Sequence, residues 1–284
     1  MGVEIKLVDN LYGKSSVKVM KLDRKVSPHK VLDLELEIIL KGDMEAAYKS
    51  GDNAHVVPTD TMKNTVYIMA KRHSFHNIEE FGKILTNHFL TTYSHINHAE
   101  IEIEQNIWNS IKTAEGKHPS SFIGCQKEAR YCRVEHSRFG SPIVYSGIKG
   151  LTILKSSHSG FENYVNDEYT TLKPTNDRIF ATTLGAIWSY QGNIENYEIV
   201  YSNVRESLLE SFATHDSKSV QHTLFAMAKH VLEKHSELQK IRLLMPNEHK
   251  ILANLSPFNL ENDNEIFVPT PEPFGVIEAE VGRE

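Results

Sequence analysis

The chain has 284 residues, of which 40 % are hydrophobic and 24 % charged, and a net charge of −6 with histidine neutral. That is enough apolar material to bury a sizeable core, in one large domain or in two of about 140 residues. No basic block is available to neutralise phosphates, which argues against a nucleic-acid binder, and no apolar run approaches the ~20 residues of a membrane span.

The start, "MGVEIKLVDN", has no basic region followed by an apolar stretch, so no signal peptide is expected and the location is taken as cytoplasmic. Met1-Gly2 invites a myristoylation reading, but Lys6 sits where Ser or Thr is wanted. "SVKVMKL" is read as a hairpin partner of "VLDLELEIIL", where Leu32, Leu34, Leu36 and Ile38 alternate with acids in the period of a sheet with one wet face. "NIEEFGKILTNHFLTTYSHI" reads as a helix, with Asn77 and Glu80 as a capping box and Phe81, Ile84, Leu85 and Phe89 on one face. "AEIEIEQNIW" alternates again, and "EARYCRVEHS" is its expected partner. Cys125 and Cys132 lack CxxC spacing and are read as free thiols.

The second half repeats the order. "LTILKSS" and "RIFATTLGAIWSY" are expected strands, "NVRESLLESFATH" and "SVQHTLFAMAKHVLEKHSEL" helices, and "KIRLLMP", "EIFVP" and "GVIEAEV" short strands. Runs of strands with helices grouped between them give an α+β class of two related antiparallel units. They are expected at 1–140 and 141–284, joined through the turn-rich "RFGSPIVYSG". The open edges of such sheets must be covered, and oligomeric barrel closure is one way.

Several motifs fail on spacing. "YGKSS" resembles the tail of a P-loop, but Val8 stands where its first glycine belongs. His73/His76 and His95/His98 have HxxH spacing without HExxH or nearby cysteine, so they are read as surface or helix-end histidines and no metal is expected. "SSHSGF" lacks the flanking glycines of a nucleophile elbow. No GxGxxG offers a dinucleotide cradle.

Polar clusters at strand–helix junctions remain. "YGK", "TDTMKNT", "DEYTTL", "DR", "SVQ" and "PNEH", in that order over about 240 residues, resemble the cofactor-free urate oxidase (uricase) family. The resemblance implies the tunnelling fold: two tandem antiparallel units per chain, closing into a barrel as a dimer, with dimers stacked as a homotetramer. It implies oxidation of urate by O2 to 5-hydroxyisourate with release of H2O2, without metal or flavin. Carried over by motif, Lys14 and Thr59 match the catalytic dyad, and His249 matches the third relay member. Lysine suits a proton acceptor because burial lowers its pKa, and a threonine hydroxyl both accepts and donates. Asn247 matches the residue that, with Thr59, holds O2 or water above the ring. Arg178 matches the guanidinium on the anionic edge of the purine, Gln221 the amide on the opposite edge, and Phe161 the stacking aromatic. The backbone N–H groups of Val220 and Asp60 are expected at the remaining edges.

Asp60 and Thr61 have a second reading as start caps of a helix "TMKNTVYIMAKRH". Glu162 is more acidic than expected beside an anion site, and the ending "EVGRE" lacks a peroxisomal address. Lys14, Thr59 and Asp60 lie in the first half and the other site residues in the second, so sites shared between subunits are expected. The alternatives are another tunnelling-fold purine or pterin enzyme, which should lack the Lys14–Thr59 pair, or an inactive binding homologue, which should lack relay residues.

Overall fold

The alternation at 31–40 becomes the central strand of the first sheet. The computed structural model describes residues 5–284, the side chains of Gln126 and Pro271 excepted. Met1 and Gly2, and with them the myristoylation reading, lie outside the described residues. The chain divides into two compact units, Met1–Ser146 and Gly147–Glu284.

In the first unit the order is β1 (Tyr12–Asp23), β2 (Lys30–Gly42), α1 (Glu45–Lys49), α2 (Thr59–Arg72), α3 (Ile78–Thr92), β3 (Ile96–Thr113) and β4 (Gly116–Ser137). The strands form an antiparallel meander, β1–β2–β3–β4. Leu32, Leu34, Leu36, Ile38 and Leu40 of β2 all point inward. Register continues the apolar row: Ile38 pairs with Ile101 and Leu36 with Ile103, which face Val134 and Cys132 on β4. α3 packs on β3 and β4, burying Phe81, Leu85 and Phe89, and α2 packs on β1. Each such side chain contributes about 1.5–3 kcal/mol through burial.

Asn77 is the N-cap as expected, and Glu80 reaches back to the Asn77 side chain and the His76 N–H rather than to the Asn77 N–H of a standard capping box. Glu80 N–H donates to Asn77 Oδ1 and Asn77 Nδ2 donates to Glu80 Oε1, both at 2.9 Å. The other Glu80 oxygen takes the His76 N–H at 2.8 Å. Next to it, the fully buried Glu79 receives Arg130 Nη2 on both oxygens (3.1 and 2.9 Å) and Ser146 Oγ on one (2.5 Å). Removing one partner of such a buried pair would cost about 3–5 kcal/mol, because the other charge would be left uncompensated.

The second unit carries most of β5 (Ile143–Lys155), then β6 (Phe180–Tyr190), α4 (Tyr197–Thr214), α5 (Val220–Lys234), β7 (Leu238–Leu244), β8 (Asn247–Leu252), β9 (Phe267–Gly275) and β10 (Glu278–Gly282). Its sheet runs β5–β6–β7–β10, with β8 joined to β6 and β9. Phe180, Leu184 and Trp188 of β6 meet Val204, Leu208 and Phe212 of α4 and Leu224, Met227 and Val231 of α5 in one core. Ser219 caps α5, accepting the His222 N–H at 3.1 Å.

The two units repeat each other in detail. Lys21 Nζ donates to Ala70 O in the last turn of α2 and to His73 O just beyond it, at 2.8 Å each. Lys155 Nζ donates to His215 O at the end of α4 at 2.5 Å. Arg138 donates to Tyr93 O and Ile96 O after α3, and Arg283 to Leu232 O, His235 O and Leu238 O around the end of α5. Cations at helix C-termini satisfy leftover carbonyls and complement the helix dipole.

Three expectations need correction. Residues 143–147 of the expected join belong to β5, because Val144, Ser146 and Ile148 are buried as strand residues. Helix α2 begins at Thr59, earlier than its apolar pattern suggests. Its N-cap position is Pro58, without a side-chain cap, so Asp60 and Thr61 are first-turn residues rather than caps.

Candidate active site

In the first unit the lysine sits at a fault in the strand. Lys14 pairs with Ile38, but the next pair is Val17 with Leu36, so Ser15 and Ser16 together face Glu37 alone. Ser16 takes up the extra residue at φ 55°, and Ser15 Oγ bonds Glu37 Oε1 at 2.8 Å. Such bulges re-aim neighbouring side chains. Gly13 is fixed by close approach: a Cβ there would lie 1.9 Å from the Ile38 carbonyl oxygen. Lys14 is half-buried in this setting.

Thr59 opens α2. Because Pro58 offers no cap, the first-turn N–H groups, that of Asp60 among them, have no side-chain oxygen to bond. They suit an anion. The Asp60 carboxylate is engaged by Lys63 Nζ and by Asn64 Nδ2 (2.9 Å). Lys63 chiefly holds its pKa below the usual carboxylate range, with Lys14 adding the smallest share. Tyr12 connects strand and helix: its hydroxyl accepts the Val57 N–H at 2.9 Å. This bond lies two residues from Lys14 on one side and two from Thr59 on the other. Burial raises the Tyr12 pKa, so the phenol stays neutral at ordinary pH. Its ring lines an apolar cavity of about 190 Å³ with Met44, Ala47, Tyr48 and Val56.

In the second unit Phe161 is held by its backbone. It exchanges hydrogen bonds with Thr175, N–H to oxygen at 2.7 and 3.1 Å. Gly160 N–H donates to Ser217 O at 2.8 Å and Ser217 N–H to His158 O at 2.9 Å. A Cβ on Gly160 would lie 3.1 and 3.2 Å from the carbonyl oxygens of Asn176 and Thr175, tighter than a side chain accepts without a shift. This ladder links Phe161 to the segment carrying Arg178 and to Ser217, three residues before α5.

The Arg178 guanidinium carbon lies 5.3 Å from the Phe161 ring centroid, and its buried Nε has no hydrogen-bond partner. Burial lowers its pKa, yet guanidinium remains charged at neutral pH. Val220 and Gln221 are the first two residues of α5, with Val220 buried and Gln221 exposed. Asn247 and His249 stand two apart on β8, and the β8–β9 register shifts between them, from Asn247 opposite Gly275 to His249 opposite Thr270. Thr183 Oγ1 ties the intervening Glu248 to β6 at 2.6 Å.

Glu162 is exposed, and its charge acts on Lys218, whose ammonium is stabilised first by Asp216 and less by Glu162. Part of the unexpected acidity is therefore countered locally.

The nine expected site residues thus fall into two sets. Lys14, Thr59 and Asp60 are gathered in the first unit through Tyr12. Phe161, Arg178, Val220 and Gln221 are connected in the second, with Asn247 and His249 on a separate strand. Tyr12 stands in the quoted "YGK" without a role of its own there; its hydroxyl bond to Val57, 45 positions away, is visible only in the structure. Among the described residues, no group of three or more His, Cys, Asp or Glu is placed to hold a metal ion.

Repeated α+β units present polar groups at a strand bulge, at helix starts and in a ring–guanidinium pair, an arrangement suited to binding a small planar anion. The uricase family model matches residues 10–135 and 144–278. The uricase of Dictyostelium discoideum is 40 % identical over 279 residues, covering 98 % of this chain and 97 % of that protein. That of Arthrobacter globiformis is 40 % identical over 283 residues, covering 100 % and 92 %. The crystal structure of the Arthrobacter globiformis uricase superposes with a TM-score of 0.93 at 38 % identity, covering 99 % of this chain and 96 % of that one. The chain belongs to the uricase family.

Proposed function

We propose that the chain oxidises urate: urate, O2 and water give 5-hydroxyisourate and H2O2. Two electrons leave the purine and reduce O2 to peroxide, while water supplies the new hydroxyl. The observation that carries the reading is the Arg178–Phe161 pair, a flat apolar face beside a desolvated cation with an unused donor. That is the recognition a planar organic anion needs.

On this reading Arg178 holds the anionic edge and Gln221 the opposite one. The N–H groups of Val220 and Asp60 bond the remaining ring atoms. Lys14 accepts a proton and Thr59 passes it on, with His249 completing the relay. Asn247 and Thr59 hold O2, and later water, over the ring. No bound cofactor enters this scheme.

We further propose a homotetramer, a dimer of dimers, whose sites combine the first unit of one copy with the second unit of another. Two features support this. Lys14 is only half-buried within its own chain. Among the described strands, β1 pairs only with β2, β10 only with β7 and β9 only with β8, leaving sheet edges to be covered.

The test is an oxygen electrode combined with a peroxide assay on purified, chelator-treated protein. The expected result is one O2 consumed and one peroxide formed per urate, at the untreated rate. Activity lost on chelation and restored by a metal would falsify the cofactor-free scheme.

A second expectation concerns Tyr12. Tyr12→Phe keeps the ring but leaves the Val57 N–H without its acceptor. An unpaired buried donor costs about 1–3 kcal/mol, here applied to the geometry between Lys14 and Thr59. Steady-state kinetics should show kcat reduced by about tenfold or more with KM changed far less. An unchanged kcat would remove Tyr12 from the account.

A further inference from the structure

Phe161 has an aromatic neighbour of its own. The Tyr164 ring lies against it with centroids 4.9 Å apart and planes 13° from parallel. Local sequence produces this contact. Asn163 adopts φ 58°, a left-handed conformation that asparagine tolerates better than most residues, and the resulting turn folds residue 164 back onto residue 161.

Tyr164 is also tied at its far end, where its hydroxyl donates to Leu172 O at 2.7 Å. The loop between them is internally bonded. Asn166 Nδ2 donates to Tyr164 O at 3.1 Å, Tyr169 N–H to Asp167 Oδ1 at 3.0 Å and Asp167 N–H to Thr170 Oγ1 at 2.9 Å. Both rings are half-buried. Phe161 is held through its backbone and Tyr164 through its hydroxyl, so the two rings form a stack fixed at both ends.

A phenyl ring has two faces: Tyr164 covers one of them, and the Arg178 guanidinium carbon also lies over the ring, 5.3 Å from its centroid, where it can meet the edge of a stacked anion. We infer that Tyr164 is a positioning residue: it backs Phe161 and sets its plane, so that the opposite face receives the purine. This rests on the reading that Phe161 stacks on the substrate. The competing arrangement is that Tyr164 occupies the substrate's own stacking place and must leave before binding. The loop bonding and the Leu172 tie favour backing, because they anchor Tyr164 to the segment that carries Phe161.

The experiment measures anaerobic urate binding, together with kcat and KM in air, for wild type, Tyr164→Leu, Tyr164→Phe and Phe161→Leu. Leucine keeps bulk but offers no flat face. Phenylalanine keeps the face and loses the hydroxyl. Tyr164→Leu should weaken urate binding and raise KM by about three- to tenfold, the range an aromatic pair supports, with kcat changed less. Tyr164→Phe should recover most of that loss, which a general folding defect would not do.

Phe161→Leu should weaken binding at least as much, and adding Tyr164→Leu to it should cost little more, since the two rings act as one element. If Phe161→Leu weakens binding and Tyr164→Leu does not, the backing role is wrong while the stacking role survives. Tighter urate binding by Tyr164→Leu would establish the competing arrangement. If neither substitution affects binding, the stacking role of Phe161 itself falls, and the inference with it.

Discussion

Lys14→Met is expected to lower kcat by about 10²–10⁴-fold, the range of a lost acid–base group, while anaerobic urate binding stays within about threefold of wild type by the same reasoning on ground-state contacts. Methionine retains the length and apolar stem of lysine at the β1 bulge, so the substitution removes the ammonium and little else. Thr59→Val should behave alike, since it keeps the branched shape at the start of α2 and deletes the hydroxyl that the proposed relay uses.

Arg178→Ala should show the opposite pattern. On the proposed scheme its guanidinium meets the anion already in the ground state, so binding should weaken first, by about ten- to hundredfold for a lost charge-assisted contact. Stopped-flow single turnovers beside equilibrium titrations separate the two effects. If Lys14→Met chiefly raised KM and left kcat intact, its place in the proton relay would be wrong.

The parts of this fold that could be read from sequence were those where one physical pattern dominates. β2 alternates strictly because a single face of it meets the core. α5 could be read because Val220, Leu224, Met227, Val231 and Leu232 form one buried stripe behind a serine cap. Where two demands compete, the pattern blurs. β1 was expected from Ser16, but it begins at Tyr12, because the bulge at Ser15 and Ser16 interrupts the alternation. β8 is six residues long and meets β6 at a single pair, Ala181 with Glu248, so it carries little apolar signal. α1 has five residues and buries none of them.

The site was less legible than the fold. Its side chains are ordinary types spread from residue 14 to residue 249, and no spacing rule joins them; only resemblance to a family placed them in roles. Structure adds connections that a linear reading lacks. The Tyr12–Val57 bond spans 45 positions, and the stack of Tyr164 on Phe161 depends on one left-handed asparagine. The capping assignment for Asp60 and Thr61 failed for a related reason. Polar residues at a helix start read as caps, but Pro58 already holds the extended conformation of the N-cap position and moves them into the first turn.

We propose that each site joins Lys14, Thr59 and Asp60 from the first unit of one copy to the purine-binding residues and His249 from the second unit of another. Co-expression of differently tagged Lys14→Met and Arg178→Ala chains, followed by purification through both tags, tests it most directly. Assayed at urate concentrations well below the KM of Arg178→Ala, each variant alone should be largely inactive. In a two-fold dimer with exchanged units, one site collects both lesions and the other neither, so the hybrid should recover roughly half of the wild-type activity per dimer. A hybrid as inactive as its parents would mean that every site carries one lesion and is built within a single chain, which contradicts the account.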